Sequence, residues 1–393
     1  MKLLLDALFS SVALGHMIVD MMNGQRSVLL TYWSAELGLT NTSYAAITTI
    51  YVCVASLSQP LFGWISDLYG RSRLMAAGGI LWMAGLFTLA LFLPVQLAIP
   101  CLILASLGSA AFHPAGTMHA TLRGRTKLSH RETTAASWFF LFGQGGYFIG
   151  PIIGGPLLDI YGPIGLIILP LAAVPIGLNA VFQLREFLPH PRTDYSSQKF
   201  HLAGSTRFIV ALAVVGGLQA WAQSNMSTFI PKYLSDLGEP AAVYGLFVGL
   251  FSGGSAIGNV IGGNLADRLG KQRVAMMMLL LATFPIYAIA QLGWSPWLYL
   301  LVPLAGAFTG AVHSIVVVLA QRALPTGMAT ASGLTLGFMF SAGAIGSLLC
   351  GPIADAYGIP AVFALTATLT LAASLATFLL REQEAGTMPV AAD

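Results

Sequence analysis

The chain has 393 residues, of which 56% are hydrophobic and only 8% are charged, and its mean hydropathy is +0.78. Soluble domains carry about 25% charged residues, so this composition excludes a water-soluble globular protein and indicates a membrane protein. The formal charge of +3 is too small and too scattered to form a nucleic-acid-binding face.

Twelve apolar stretches are each long enough to cross a bilayer as a helix, which takes roughly 20 residues. In chain order, the predicted spans 1 to 12 cover residues 5–32, 43–65, 74–93, 95–121, 132–158, 161–184, 207–233, 242–265, 274–293, 297–321, 328–354 and 359–380. Span 1 contains several polar residues and no small-residue cleavage site follows it, so it is predicted to be a membrane helix rather than a signal peptide. The sequence therefore predicts an all-α integral membrane protein with twelve transmembrane helices.

The positive charges support these spans, because cytoplasmic loops of membrane proteins are enriched in lysine and arginine. With the predicted spans, 16 of the 18 cationic residues fall on one side of the membrane: Lys2, Arg71, Arg73, Arg123, Arg125, Lys127, Arg131, Arg185, Arg192, Lys199, Arg207, Arg268, Lys271, Arg273, Arg322 and Arg381. Both termini are then cytoplasmic. The two exceptions, Arg26 and Lys232, lie in the outer parts of spans 1 and 7.

The second half of the chain repeats the first at an offset of 200 residues. Residues 63–73, which follow span 2, match residues 263–273, which follow span 8, and His113 matches His313. Repeated halves of this kind usually form a substrate site at their interface near the bilayer midplane and work by alternating access.

The repeat predicts two pseudo-symmetric six-helix bundles, at residues 1–184 and 207–382. The polar residues 185–206 between them are expected to form a cytoplasmic linker, and residues 383–393 a short cytoplasmic tail.

The loops after spans 2 and 8 carry a spaced pattern of glycine, aspartate and basic residues. It consists of Gly63, Asp67, Gly70, Arg71 and Arg73, with a degenerate second copy at Asp267, Gly270, Lys271 and Arg273. A carboxylate at a helix end beside basic residues and helix dipoles can hold a gate shut. The alternative is a plain positively charged cytoplasmic loop. The pattern resembles the signature loop of the major facilitator superfamily, and the resemblance covers essentially the whole chain, implying the twelve-helix fold of that superfamily.

Span 5 contains a glycine-proline pattern formed by Gly146, Gly150, Pro151, Gly154 and Gly155. It resembles the antiporter motif of the same superfamily, which implies export. Small residues at this spacing allow close helix contact, and the proline permits a bend. The alternative interpretation is tight packing with no bearing on direction.

Three segments resemble the fosmidomycin-resistance family within that superfamily: His16-x-x-x-Asp20, residues 58–63 and residues 108–114. One departure is Ala115, because members of that family often carry an acidic residue two places after the histidine. The arginine that is common in helix 4 of many drug antiporters is also missing, since none occurs between Leu102 and Leu122.

Ionisable side chains inside the bilayer are costly and suggest function. Asp20 lies near the middle of span 1, and His16 is one turn earlier on the same helix face. We predict that Asp20 carries protons, with His16 and His113 as coupling partners. The alternative for Asp20 and His16 is a purely structural hydrogen-bonded pair. His113 could instead satisfy the backbone of a helix bent by Pro114.

The central cavity in this superfamily is lined by helices 1, 4, 7 and 10. The resemblance therefore places five polar residues there as candidate substrate contacts: Asn23, Arg26, Gln219, Gln223 and His313. Arg26 could bind an anionic group, because its guanidinium matches phosphate or phosphonate oxygens. The alternatives are that Arg26 and Lys232 extend to the outer interface, and that the glutamines bond neighbouring helices.

We expect a secondary active transporter that exports a small amphipathic or anionic compound by proton antiport, with drug efflux as one form of this activity. The alternative is an importer or facilitator in which Asp20 and His16 bind substrate rather than protons. An enzyme is not expected, because no nucleophile with a base and no phosphate-binding loop can be assembled.

Few partners are expected beyond protons, a small-molecule substrate and the lipid bilayer. We predict a monomer in the inner cell membrane without cofactor or nucleic acid. No metal site is expected, since the histidines lack a cluster of carboxylates and the three cysteines lack metal-binding spacing: Cys53, Cys101 and Cys350.

Overall fold

The computed structural model describes residues 4–69, 71–127, 132–184, 206–323 and 328–380, and these are almost entirely helical. The first half contains α1 (Ala7–Glu36), α2 (Asn41–Tyr69), α3 (Ser72–Phe92), α4 (Val95–Lys127), α5 (Glu132–Tyr161) and α6 (Ile168–Gln183). The second half contains α7 (Thr206–Asp236), α8 (Ala241–Leu269), α9 (Lys271–Leu292), α10 (Leu298–Gly310), α11 (His313–Ala323), α12 (Met328–Tyr357) and α13 (Ile359–Ala376). Short 3₁₀ turns at Pro163–Ile167 and Thr377–Leu379 adjoin α6 and α13.

Ten helical stretches in the described part of the chain are long and apolar enough to cross a membrane. The predicted spans 1 and 5, which are α1 and α5, complete the twelve. Of these two helices, α1 carries buried polar side chains and α5 is rich in glycine. The predicted all-α fold with twelve spans is confirmed. The predicted linker and tail lie almost wholly outside the described residues.

The tenth predicted span is interrupted. It consists of α10 and α11, which are separated at Ala311 and Val312. The amide of Val312 bonds to the carbonyl of Thr309, an i→i+3 bond that tightens the turn. Close packing against α8 accompanies the break, because a Cβ atom at Gly310 would lie 2.4 Å from Ser255 Oγ. The matching helix of the first half, α4, runs through Pro114 without such a break.

Within each half the helices pack in pairs, such as α1 against α5 in the first half and α7 against α12 in the second. The halves meet chiefly where α5 packs on α8 and α2 packs on α12, with a smaller contact between α1 and α7. Hydrogen bonds join α2 to α12 along this seam, from Thr49 Oγ1 to the carbonyl of Ala344 (2.7 Å) and between the hydroxyls of Ser56 and Ser341 (2.9 Å).

Two aspartates cap helices of the opposite half, an arrangement that we call the exchanged caps. Asp159, near the end of α5, accepts hydrogen bonds from the first two amides of α8, those of Ala241 (2.7 Å) and Ala242 (2.8 Å). Asp355, near the end of α12, accepts them from the first two amides of α2, those of Asn41 (2.7 Å) and Thr42 (3.0 Å). A carboxylate at a helix N-terminus satisfies open amides and opposes the positive end of the dipole. The caps therefore close the bundle at the end that the topology predicts to face outward.

Candidate functional site

Three ionisable side chains meet inside the first half, and we call them the Asp20 cluster: His16, Asp20 and His113. Nε2 of His16 lies 3.1 Å from Asp20 Oδ2, and Nε2 of His113 lies 3.4 Å from Asp20 Oδ1. The Asp20 and His16 side chains are almost fully buried, whereas that of His113 is 20% exposed. His113 is thus the most exposed member of the cluster.

The second nitrogen of each imidazole is already committed to the backbone. Nδ1 of His16 lies 2.8 Å from the carbonyl oxygen of Phe139, and Nδ1 of His113 lies 2.8 Å from that of Ser109. A carbonyl only accepts hydrogen bonds, so both Nδ1 atoms carry protons and both Nε2 atoms face the carboxylate. An ionised carboxylate opposite two unprotonated Nε2 atoms would have no hydrogen between the facing atoms. The geometry therefore accommodates up to two additional protons, one for each histidine.

The helices position these groups by simple spacing. His16 and Asp20 are four residues apart on α1, which places them on one helix face. The His113 ring bonds to the carbonyl of Ser109, one residue before Ala110, whose carbonyl is the one that Pro114 leaves without an amide partner. The His113 ring therefore does not bond to the carbonyl of Ala110, although the structural alternative for His113 requires that bond.

Gly143 of α5 makes room for the cluster. A Cβ atom at this position would lie 2.4 Å from His16 Nε2 and 2.7 Å from Asp20 Oδ2. Both distances are shorter than a van der Waals contact, so a side chain at residue 143 would displace the pair. The sequence analysis missed this residue, although it continues the glycine spacing of Gly146 and Gly150.

The predicted antiporter motif consists of small residues that let α5 approach its neighbours. A Cβ atom at Gly146 would lie 2.2 Å from the carbonyl of Met17, and one at Gly150 would lie 2.4 Å from that of Met21, both on α1. At Gly154 it would meet Gln25 of α1 (2.1 Å), and at Gly155 it would meet the carbonyl of Ala241 on α8 (2.3 Å). Pro151 packs against Gly24 of α1. The motif thus positions α1 in one half and α8 in the other.

Asn23 extends the cluster by a network of buried hydrogen bonds. Its side-chain amide donates to Asp20 Oδ1 (3.0 Å) and to Ser109 Oγ (2.9 Å), and its carbonyl oxygen accepts from the Tyr51 hydroxyl (2.8 Å). The analysis of the sequence missed Tyr51 and Ser109. Ser109 had one usable signal, because it lies four residues before His113 on α4 and therefore shares its helix face.

Arg26 lies over the aromatic ring of Tyr51, with its guanidinium carbon 4.8 Å from the ring centre. This is a cation–π contact. Its Nε atom is buried and has no hydrogen-bond partner among the described residues. Arg26 therefore keeps donor capacity that an anionic ligand could use.

Lys232 is the second cation that lies outside the predicted cytoplasmic loops, and it is paired within its own helix. Lys232 is buried and donates to Asp236, one turn later on α7. Because its charge is met by this carboxylate, Lys232 requires neither a ligand nor an extension to the interface.

The second half presents neutral groups at the corresponding positions. At the repeat offset of 200 residues, His16 matches Gly216 and Asp20 matches Ala220. Gln219 is buried and donates to the carbonyl of Thr309 (3.0 Å), and Gln223 donates to Ser255 Oγ (2.7 Å). The glutamines thus bond neighbouring helices, as one of the alternatives proposed.

His313, the repeat partner of His113, begins α11 and stacks against Phe340 with 6.0 Å between ring centres. No carboxylate lies against it in the described part of the chain. The two halves therefore differ chemically: the ionisable cluster belongs to the first, and the second supplies amides, hydroxyls and one imidazole.

The predicted cytoplasmic gate motif is described only in part. Gly63 on α2 faces Pro114 of α4, Arg71 is exposed immediately before α3, and Gly270 adopts a positive φ of 92° between α8 and α9. Arg73, Lys271 and Arg273 lie in the first turns of α3 and α9. Gly70 and the side chains of Asp67 and Asp267 lie outside the described residues.

Within the described residues, His16, Asp20 and His113 are also the one set of three side chains with the chemistry of metal ligands, their atoms lying within 4.8 Å of one another. The separations of 3.1 and 3.4 Å between nitrogen and carboxylate oxygen each leave room for one hydrogen between the two atoms. The sequence analysis expected no metal site because the histidines lack a cluster of carboxylates, and the structure places a single carboxylate, Asp20, between His16 and His113.

Comparison with known proteins agrees with this architecture. The family model of the Major Facilitator Superfamily matches residues 12–327 and 212–391. The chain is 28% identical to the uncharacterized MFS-type transporter YfnC of Bacillus subtilis and 26% identical to the Fosmidomycin resistance protein of Escherichia coli, in both cases over 95% of this chain and 92% of the relative. The crystal structure of the nucleoside transporter NupG superposes with a TM-score of 0.76 at 14% identity, covering 95% of this chain and 100% of that one.

Proposed function

The chain belongs to the Major Facilitator Superfamily and is a membrane transporter rather than an enzyme, and on this premise we propose that it exports a small anionic or amphipathic compound in exchange for protons. The proposal rests on one observation above all, the Asp20 cluster. Two imidazoles in fixed orientation face one buried carboxylate. Such a site binds and releases protons without a large rearrangement.

Both carboxylate oxygens of Asp20 already have partners within the protein, which favours a proton role over direct substrate binding. One carboxylate oxygen faces His16, and the other faces His113 and accepts a hydrogen bond from Asn23. A substrate would have to displace one of these groups in order to reach the carboxylate. This argues against the alternative of an importer or facilitator in which Asp20 and His16 hold the substrate.

Arg26 is the group that we assign to the substrate. It lies six residues beyond Asp20 on α1, towards the end closed by the exchanged caps, and its Nε atom has no hydrogen-bond partner among the described residues. A planar guanidinium matches a phosphonate or carboxylate. Neutral groups on α7 and α11, at Gln223 and His313, are proposed to complete the contact from the other half.

Export is proposed from the motif in α5 and from the name of one relative. The glycine-proline pattern resembles the antiporter motif, and the Escherichia coli relative is a Fosmidomycin resistance protein. The same motif places α5 against α1, which carries the cluster, and against α8, across the seam. It is therefore positioned to link the proton site to the movement of the halves.

Several further features belong to the same proposal. The two bundles are residues 1–184 and 207–382, the loop after α2 and its copy after α8 close the cytoplasmic gate, and both termini are cytoplasmic. The transporter acts as a monomer in the inner membrane. Alternating access then requires the exchanged caps to open when the site faces outward.

The test is proton movement in proteoliposomes that contain a pH-sensitive dye and carry an imposed pH gradient. Fosmidomycin, a phosphonate, is added to the wild-type protein, to Asp20→Asn and to Glu36→Gln, an exposed acid used as the control. We expect the wild type and Glu36→Gln to dissipate the gradient when fosmidomycin is present and Asp20→Asn not to. Transport of fosmidomycin without proton flux, with Asp20→Asn changing only its affinity, would instead identify Asp20 as a binding residue.

A further inference from the structure

A continuous set of contacts joins the proton site to Arg26. It runs from Asp20 to the side chain of Asn23, from Asn23 to the hydroxyl of Tyr51, and from the ring of Tyr51 to Arg26. Asp20, Asn23 and Tyr51 are each no more than 5% exposed, so water does not compete freely for these bonds.

The orientation of Asn23 follows from its partners. Asp20 offers only acceptor oxygens when ionised, so the NH₂ group of Asn23 must face it. The carbonyl oxygen of Asn23 then faces Tyr51, and the Tyr51 hydroxyl must be the donor. Each bond in this series has one direction, which is set by the charge state of Asp20.

Tyr51 contacts its two neighbours, Asn23 and Arg26, with different parts of its side chain. Its hydroxyl bonds to Asn23, and the face of its ring lies under the guanidinium of Arg26. A shift of the hydroxyl therefore moves the ring beneath the cation. Conversely, an anion that draws the guanidinium away from the ring frees Tyr51 to shift.

We propose that Asn23 and Tyr51 are positioning residues that couple the protonation of the Asp20 cluster to the binding of an anionic group at Arg26. This inference rests on the proposed proton-coupled function. A proton gained at His16 or His113 draws the negative charge of Asp20 towards the imidazoles, which weakens the bond from the Asn23 amide. The bond between Asn23 and Tyr51 then loosens, and the Tyr51 ring beneath Arg26 can shift. By the reciprocity of linked equilibria, anion binding at Arg26 changes the proton occupancy of the cluster by the same factor.

Other charged or titratable groups also face this path. His16 on α1 and His113 on α4 contact Asp20, and Tyr147 on α5 is within electrostatic range of Asp20, Arg26 and Tyr51. In the part of the chain that the structure describes, Tyr147 makes no hydrogen bond to Asn23 or Tyr51. Direct electrostatic coupling between Asp20 and Arg26 would survive removal of the Tyr51 hydroxyl. Coupling through the hydrogen bonds of Asn23 and Tyr51, which we call the relay, would not.

The decisive variant is Tyr51→Phe, which keeps the ring under Arg26 and removes the hydroxyl that bonds to Asn23. The matched control is Tyr44→Phe, because Tyr44 also lies on α2 and its buried hydroxyl also bonds to α1, at Thr31 (2.9 Å). Both variants are reconstituted in vesicles, and two quantities are measured: exchange of labelled for unlabelled fosmidomycin, which needs no net proton movement, and protons moved per fosmidomycin.

We expect Tyr51→Phe to retain exchange within about twofold of the wild type and to lose at least half of the protons moved per fosmidomycin, while Tyr44→Phe keeps both. An unchanged proton ratio in Tyr51→Phe would overturn the relay. So would a loss of exchange, since the hydroxyl would then serve binding or folding rather than coupling. If the wild type itself moves no protons with fosmidomycin, the proposed function fails and not merely the relay.

Discussion

The amide of Ala241 donates a 2.7 Å hydrogen bond to Asp159, and this bond ties the first turn of α8 to the last turn of α5 across the seam between the halves. Asp355 repeats the arrangement on α2 through the pseudo-symmetry of the fold. Both bonds must break if the halves separate at this end.

Replacing both capping aspartates should favour the conformation that is open at the capped end. Loss of a helix cap costs about 1 kcal/mol, so Asp159→Ala with Asp355→Ala should shift the equilibrium by about 2 kcal/mol, or roughly 30-fold. Spin labels at the exposed residues Ala35 and Leu237 would report a longer distance. Glu36→Gln removes an exposed acid from the same end and should leave the distance unchanged; an equal change in this control would show that net charge, not capping, is responsible.

Gly143→Ala should disable proton coupling, because the added methyl group would meet His16 Nε2 at 2.4 Å and displace the His16–Asp20 pair. We expect at least a tenfold loss of fosmidomycin-dependent proton flux. Gly145→Ala is the matched control on the same helix, since a Cβ atom there meets nothing within 4 Å. It should retain transport and gain up to about 1 kcal/mol of stability from helix propensity. Equal flux in the two variants would contradict the role assigned to Gly143.

Arg26→Lys should weaken fosmidomycin binding, because lysine keeps the charge but loses the planar fork of donors. A hydrogen bond to a charged group contributes about 1.5–3 kcal/mol, so we expect affinity to fall roughly 10- to 100-fold, and further in Arg26→Met. Isothermal titration of the purified protein would measure this. Lys232→Met removes the other outer cation, which is paired with Asp236, and should leave affinity unchanged. Full affinity in Arg26→Met would exclude Arg26 from the site.

The number of protons exchanged should depend on His113. Each imidazole of the cluster offers one Nε2 to the carboxylate, so His113→Gln removes one protonation site and leaves the other. Proton release on addition of fosmidomycin, followed with a dye in weakly buffered detergent solution, should fall by up to one per protein in His113→Gln. It should vanish in Asp20→Asn. If His113→Gln matches the wild type, the His16–Asp20 pair carries the protons alone.

The architecture was accessible from the sequence because it depends on regular patterns. Apolar runs define the spans, positive charges alternate between loops, and an offset of 200 residues exposes the repeat. The His16–Asp20 pair was likewise predictable, since four residues on one helix place two side chains together. The break between α10 and α11 was not, because it accompanies packing against α8 rather than a local proline.

The remainder of the candidate site depends on how helices dock. Tyr51 and Gly143 reach the cluster from α2 and α5, and no spacing within either helix predicts that contact. The capping partners of Asp159 and Asp355 could not be inferred for the same reason. Such contacts are set by the relative height and rotation of packed helices, which a single sequence does not encode in any short pattern.

The exchanged caps also bear on how the molecule is assembled. Each half caps the second helix of the other, because the first two amides of α2 bond to Asp355 and those of α8 bond to Asp159. Among the described residues of its own half, α2 has only the side chain of Thr40, which accepts from the amide of Ser43 (3.1 Å). A half synthesised alone would carry open amides at one helix and an unmatched carboxylate at another, and both defects are repaired in a single docking event. The two halves, produced as separate polypeptides, should consequently recognise one another in the membrane and reconstitute the transporter without a covalent connection.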